Sequence, residues 1–151
     1  MALKCAFTLA KRLSQERHGH VARFDNPRKV ADFLREEMRL LPQENLFLLM
    51  LNSRNGLIKK EKIGKGTVDS LLVHPREIFR PAIQSNAAAV IMVHNHPSGD
   101  PTPSEHDIRA TEEIVKAGDL LKIRVHDHII IGKKSCEKPL DFVSMKSYGY
   151  I

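Results

Sequence analysis

His94, Asn95 and His96 precede the loop Pro97-Ser98-Gly99-Asp100-Pro101-Thr102-Pro103, and Ser104 and Asp107 follow it. Imidazole nitrogen and carboxylate oxygen are good zinc ligands, and a catalytic zinc site uses three protein ligands while leaving a position open for water. His94, His96 and Asp107 supply that set. Side chains at i and i+2 of a strand share a face, so both rings reach one site if His94 ends a strand. The proline- and glycine-rich segment has the turn chemistry to bring Asp107 back from the first turn of a following helix. Ser104 and Asp107 also have the spacing of a helix cap, with Ser104 as N-cap, a contact worth about 0.5–2 kcal/mol. A histidine pair on one side of a rigid turn and a carboxylate on the other favour a metal site over unrelated structural roles.

The elements that must position these residues are legible from periodicity. Leu3 to about residue 16 has the spacing of a short amphipathic helix, ended by His18-Gly19-His20. Asp25-Asn26-Pro27 is a helix start, with an Asx cap and proline in the first turn. That helix is expected to bury Val30, Phe33, Leu34, Met38 and Leu41 and to stop at Pro42. Leu46 to Asn52 is a continuous apolar run, as in a strand covered on both faces. Asn55-Gly56 predicts a hairpin into a lysine-bearing edge strand from Leu57 to about Gly64. A helix is expected from Pro75 to about Ser85, disturbed at Pro81, and a buried strand from Ala87 to Val93 delivers His94. A helix from Ser104 to about Ala117 should stop at Gly118. Leu120–Val125 and His128–Ile131 read as two short strands, and the tail from Phe142 as a last strand or helix. The pattern is that of an α/β domain with a mixed sheet and helices packed on it.

Bulk properties narrow the class. The 151 residues suit one domain with a real core, and 42% hydrophobic with 28% charged residues exclude a disordered chain. No apolar run reaches the length of a membrane span, and the first residues lack a secretory pattern, so a cytoplasmic protein with no membrane partner is expected. Cys5 and Cys136 form no CxxC pair, which excludes a thiolate zinc knuckle. The net charge of +6 permits nucleic acid association through a basic surface, with Lys59, Lys60, Lys62 and Lys65 crowded together. With aromatics at 5% and no Trp, a stacking surface for single strands is disfavoured, and a solvated basic face is the plainer reading.

The order H-x-H, seven residues, Ser, two residues, Asp from His94 to Asp107 resembles the JAMM motif of JAB/MPN-type metalloproteases. The segment His94 to Pro101, His74-Pro75-Arg76-Glu77 upstream and Asp127-His128-Ile129-Ile130-Ile131-Gly132 downstream are similar to the bacterial RadC-like branch. The resemblance covers Arg28 to the C-terminus. It implies a JAB/MPN-like, cytidine-deaminase-like fold at 28–151, with 1–27 as a helix and linker left from a helix-hairpin-helix region. It also implies zinc on His94, His96 and Asp107, Ser104 holding a developing oxyanion, and an upstream glutamate polarising the water. Glu44, just before the apolar strand, fits that glutamate best; Glu77 beside Arg76 is expected to be ion-paired instead. Asp127 and His128 are candidates to orient a ligand or to make structural turn hydrogen bonds. The implied activity is hydrolysis of a peptide or isopeptide bond in a peptide or protein substrate. The rivals are a DNA-associated role, such as repair or metal-dependent nuclease action, and a binding module without catalysis.

Overall fold

Two strands without an exposed side chain form the centre of the domain. The computed structural model describes residues 21–65, 73–134 and 140–151. Strands β1 (Asn45–Leu51) and β3 (Ala89–Asn95) are buried at every position and pair antiparallel, Leu46 opposite His94 and Leu51 opposite Ala89. Helix α1 (Pro27–Arg39) precedes β1, and the hairpin at Asn55-Gly56 leads to β2 (Leu57–Lys65). Helix α2 (Pro75–Gln84) precedes β3, and α3 (Glu105–Leu121) connects it to the parallel strand β4 (Arg124–Ile131). A short β5 (Phe142–Ser144) and a 3₁₀ turn (Lys146–Tyr148) close the chain. Among the described residues the sheet order is β2-β1-β3-β4-β5, a mixed α/β sheet as expected.

Two apolar layers explain the unbroken hydrophobic runs, because both faces of the sheet are covered by helices. On one face Val30, Leu34 and Met38 of α1 pack on Phe47, Leu49, Ile91, Val93, Ile129 and Ile131. On the other, Ile78 and Phe79 of α2 and Ile114 of α3 meet Leu46, Leu48, Val90, Met92 and Val125. The α1 start is capped as predicted, with Asn26 Oδ1 accepting from the Lys29 amide at 2.9 Å. Asn55 takes a left-handed φ of 58°, and Asn52 Oδ1 accepts from the amides of Arg54 and Gly56, which sets the hairpin. On the edge strand Lys59 pairs with Glu61 at 2.7 Å and Lys60 with Glu37, so part of the basic run is neutralised within the fold. No helix among the described residues is long and apolar enough to cross a membrane.

The structure corrects the reading of residues 118–131. Helix α3 runs through Gly118 to Leu121, and Leu120 is an exposed helical residue rather than the start of a strand. The turn comes at Lys122, with φ of 57°. Beyond it lies one strand, broken in alternation by a β-bulge. Val90 pairs with Val125 but the next residue, Ile91, pairs with Asp127, leaving His126 extra. The bulge inverts the side-chain alternation. Val125 therefore faces α2 and α3, whereas Ile129 and Ile131 face α1, and a simple period-two reading splits the strand in two. The expected helix over Leu3 to residue 16, together with His18, His20 and Cys5, lies outside the described residues, as does Cys136.

Gly118 is inside the helix because α3 presses close to the sheet there. A Cβ at this position would lie 2.6 Å from the Ile123 carbonyl oxygen and 3.1 Å from the Phe79 ring. Alanine gains about 1 kcal/mol of helix propensity over glycine, but forcing atoms into a packed interior costs about 1–3 kcal/mol. Because the obstacle is backbone, Gly118→Ala should lower stability by about 1–2 kcal/mol in urea unfolding; an unchanged midpoint would show that the helix can lift.

Candidate metal centre

The β3–α3–β4 unit brings the carboxyl end of β3 beside the amino end of α3. His94 and His96 leave β3 on the α3 side of the sheet, His94 at 1% exposure. Their Nε2 atoms lie 2.9 Å apart. The chain then turns through Pro97–Asp100, with Gly99 at φ of 92° and its amide donating to the His96 carbonyl at 3.0 Å. Gly132 permits this path, since a Cβ there would sit 2.2 Å from the Gly99 carbonyl oxygen. The turn aims the Asp100 carbonyl at His96 Nδ1, 2.7 Å away. A carbonyl only accepts, so Nδ1 carries a proton, and Nε2 is the atom left to ligate when the ring is neutral.

Asp107 closes the site from the first turn of α3. Its Oδ1 lies 3.4 Å from His94 Nε2 and its Oδ2 3.5 Å from His96 Nε2. The Ser104 amide and hydroxyl both donate to Oδ2, at 2.8 and 2.6 Å, and Ser104 Oγ accepts from the Asp107 amide at 3.1 Å. This capping box and the ligand cluster are one structure, so the two readings of Ser104 and Asp107 are compatible. One ligand atom from each of His94, His96 and Asp107 lies within 4.8 Å of the others. Two imidazole nitrogens and a carboxylate oxygen are a donor set that fits a divalent cation such as zinc.

Glu44 is brought to the same end of the sheet. Leu46 pairs with His94, so Glu44, two residues earlier, comes level with His96. The Asn95 side chain holds this junction, its Oδ1 accepting from the Asn45 amide at 2.9 Å and its Nδ2 donating to the Gln43 carbonyl at 3.1 Å. Both neighbours of Glu44 are thereby tied to the residue between the two histidines.

A family model described as the RadC-like JAB domain matches residues 24–150. The chain belongs to this family. A UPF0758 protein from Pelobacter propionicus is 45% identical over 130 residues, covering 86% of this chain and 57% of the relative. Another, from Caldanaerobacter subterraneus, is 43% identical over 148 residues, covering 98% and 61%. A UPF0758 protein from Staphylococcus haemolyticus is 41% identical over 148 residues, covering 98% and 62%. The chain thus spans about three-fifths of the length of these relatives.

Within this RadC-like domain the remaining candidates separate cleanly. Glu77 pairs with Arg76 at 3.3 Å, as expected. His74 occupies the N-cap position of α2 without a side-chain capping bond. Asp127 is a structural residue: its carboxylate accepts from Ser144 Oγ at 2.6 Å and from the amides of His128 and Lys146. His128 reaches the site, with Nε2 2.7 Å from His94 Nδ1. Its pairing with Met92, set by the bulge, gives it the same face as His94. Thr111 and Asn95 make contacts around the cluster that the sequence reading missed. Thr111 had one available signal, its position one helical turn after Asp107.

Burial dominates the electrostatics. It pushes His94 well below the ordinary imidazole value, helped by His128, and it pushes His128 down to about 4. Burial also opposes the charged forms of His96 and Asp107 but is outweighed. Hydrogen bonds and charge shared with Asp107, the Asp100 carbonyl and the charge of Glu44 raise His96. Contacts with His96, His94 and Ser104 hold Asp107 well below the usual carboxylate range. At neutral pH the centre therefore offers a neutral His94 beside an ionised Asp107.

The depressed imidazoles make stability depend on pH. In the unfolded chain they take up protons as pH falls through 6.5, whereas folded His128 resists until about 4. Stability contributed by His128 is complete above 6.5 and drains away toward 4, by roughly 3 kcal/mol. Urea titrations of chelator-treated protein at pH 7 and pH 4.5 should show that loss, reduced in His128→Gln. A midpoint that does not move would contradict a buried neutral His128.

Proposed function

We propose that this domain is a zinc-dependent hydrolase that cleaves peptide or isopeptide bonds in a peptide or protein substrate. The observation that carries this reading is the convergence of His94 Nε2, His96 Nε2 and the Asp107 carboxylate at the mouth of the β3–α3 turn. Membership of the RadC-like JAB family supports it, because the JAMM pattern belongs to metalloproteases of that superfamily. A zinc ion at these residues would lower the pKa of a bound water toward about 7 and polarise a carbonyl. His94, His96 and Asp107 are the residues that would hold it.

The chain's own residues supply the proton handling. Glu44, level with His96, accepts the proton of the attacking water and passes it to the leaving amine. Ser104 stands beside Asp107 with its hydroxyl proton on Oδ2 at 2.6 Å. Turning that proton toward a substrate oxygen gives the tetrahedral oxyanion a donor, while the Asp107 amide keeps Oγ in place at 3.1 Å. The Asn95 clamp keeps Glu44 at the strand end during this exchange.

Metal analysis of purified protein should find close to one zinc per chain, as expected of a single three-ligand site. His94→Ala and Asp107→Ala should each lose it, and full retention in both would overturn the site. Glu44→Gln should keep zinc yet lose turnover in a screen of peptide and isopeptide-linked substrates. Turnover equal to wild type would place the base elsewhere.

A further inference from the structure

We propose that Thr111, acting through His128, fixes the proton of His94 on Nδ1 and so keeps Nε2 bare for a cation. The proposal rests on the reading of His94 as a metal ligand and names positioning residues for it. Three short contacts run in series. His94 Nδ1 is 2.7 Å from His128 Nε2, His128 Nδ1 is 2.6 Å from Thr111 Oγ1, and Thr111 Oγ1 is 2.6 Å from the Asp107 carbonyl oxygen.

The end of the chain decides its direction. A hydroxyl has one proton and a carbonyl oxygen has none. Two oxygens 2.6 Å apart with no proton between them repel, so the Thr111 hydroxyl donates to Asp107. The other group near it, Met145 Sδ at 3.4 Å, is also an acceptor only. Thr111 Oγ1 must then accept from His128 Nδ1–H. His128 Nε2 is consequently bare and accepts from His94 Nδ1–H, which leaves His94 Nε2 without a proton. The reverse order would put a proton on His94 Nε2, pointing at His96 and Asp107, where a cation would have to bind.

Burial makes the series determinate. Thr111 is 0% exposed, and His94 and His128 are buried beside it, so the three short contacts satisfy these atoms without solvent. The path also begins and ends on ligands: it leaves His94 and terminates on the backbone of Asp107, one turn of α3 before Thr111. His96 is set separately by the Asp100 carbonyl. Two unrelated carbonyls therefore put a proton on each Nδ1 and turn both Nε2 atoms, 2.9 Å apart, to one point, where a cation, or in its absence a proton carried by His96, lies between them.

Nitrogen-15 NMR of the imidazoles in metal-free protein at pH 7.5 tests the assignment directly. His94 and His128 should both show protons on Nδ1, and a proton on His94 Nε2 in wild type would overturn the proposal. Thr111→Val, close to threonine in shape, should bring in the Nε2–H form. It should also weaken zinc binding by about 10- to 100-fold in chelator competition, with Thr111→Ser restoring it to within a few-fold. A folded Thr111→Val that binds zinc like wild type would refute the role. If that variant fails to fold, the wild-type spectrum still decides. A wild-type protein with the predicted spectrum but no zinc affinity would instead overturn the metal centre while leaving the proton assignment in place.

Discussion

A neutral, fully desolvated imidazole at the end of the central strand is the constraint from which the rest of the site follows. His94 is 1% exposed, on the face of the sheet it shares with His128. Charging it there is costly, and leaving a buried polar atom without a partner costs about 1–3 kcal/mol. Its Nδ1 must therefore be met by another buried group. His128 meets it, and Thr111 in turn meets His128. The series stops only where it reaches a backbone carbonyl. On the other side Nε2 faces the open mouth of the turn, toward His96 and Asp107. The protein spends its polar inventory on one side of the ring so that the other side is available for chemistry.

Asp107 shows how a site of this kind is built without special material. The same carboxylate completes the capping box that starts α3 and presents an oxygen to two histidines. The helix start, the Gly99 turn and the approach to Gly132 are each ordinary devices of backbone geometry. Their combination places three potential ligands within a few ångströms. Asn95, between the histidines, points the other way and pins the segment around Glu44. A stretch of three residues thus serves the candidate cation site and the strand junction at once, by simple alternation of side-chain direction.

Much of this was legible in the sequence, for identifiable reasons. The apolar runs of β1 and β3 announce strands buried on both faces, and Asn55-Gly56 and Asn26-Pro27 carry turn and cap signals tied to backbone sterics. His94, His96, Ser104 and Asp107 are close in sequence, so spacing alone brings them together. Glu44 lies fifty residues upstream and could be placed only from a family resemblance and the strand that follows it. Thr111 and Asn95 escaped because threonine in a helix and asparagine in a strand have no local pattern that marks their partners. Gly118 misled because a glycine that ends a helix and one that admits a close neighbour look the same without the neighbour. The strand from Arg124 to Ile131 was divided because its alternation changes midway.

That change of alternation has a wider meaning. A strand is a two-valued code, each residue assigned to one side of the sheet or the other by parity. The extra residue at His126 adds one to the count, so the first part of β4 and the second obey opposite rules. The strand can therefore give Val125 to one hydrophobic layer, Ile129 to the other, and still present His128 to the site. The register on either side of the bulge, rather than the extra residue, is what assigns each of these side chains to its face. A substitution at His126 alters one side chain. The loss of that residue would remove the bulge and leave a regular ladder, with Val125 still opposite Val90, Asp127 opposite Ile91 and His128 opposite Met92.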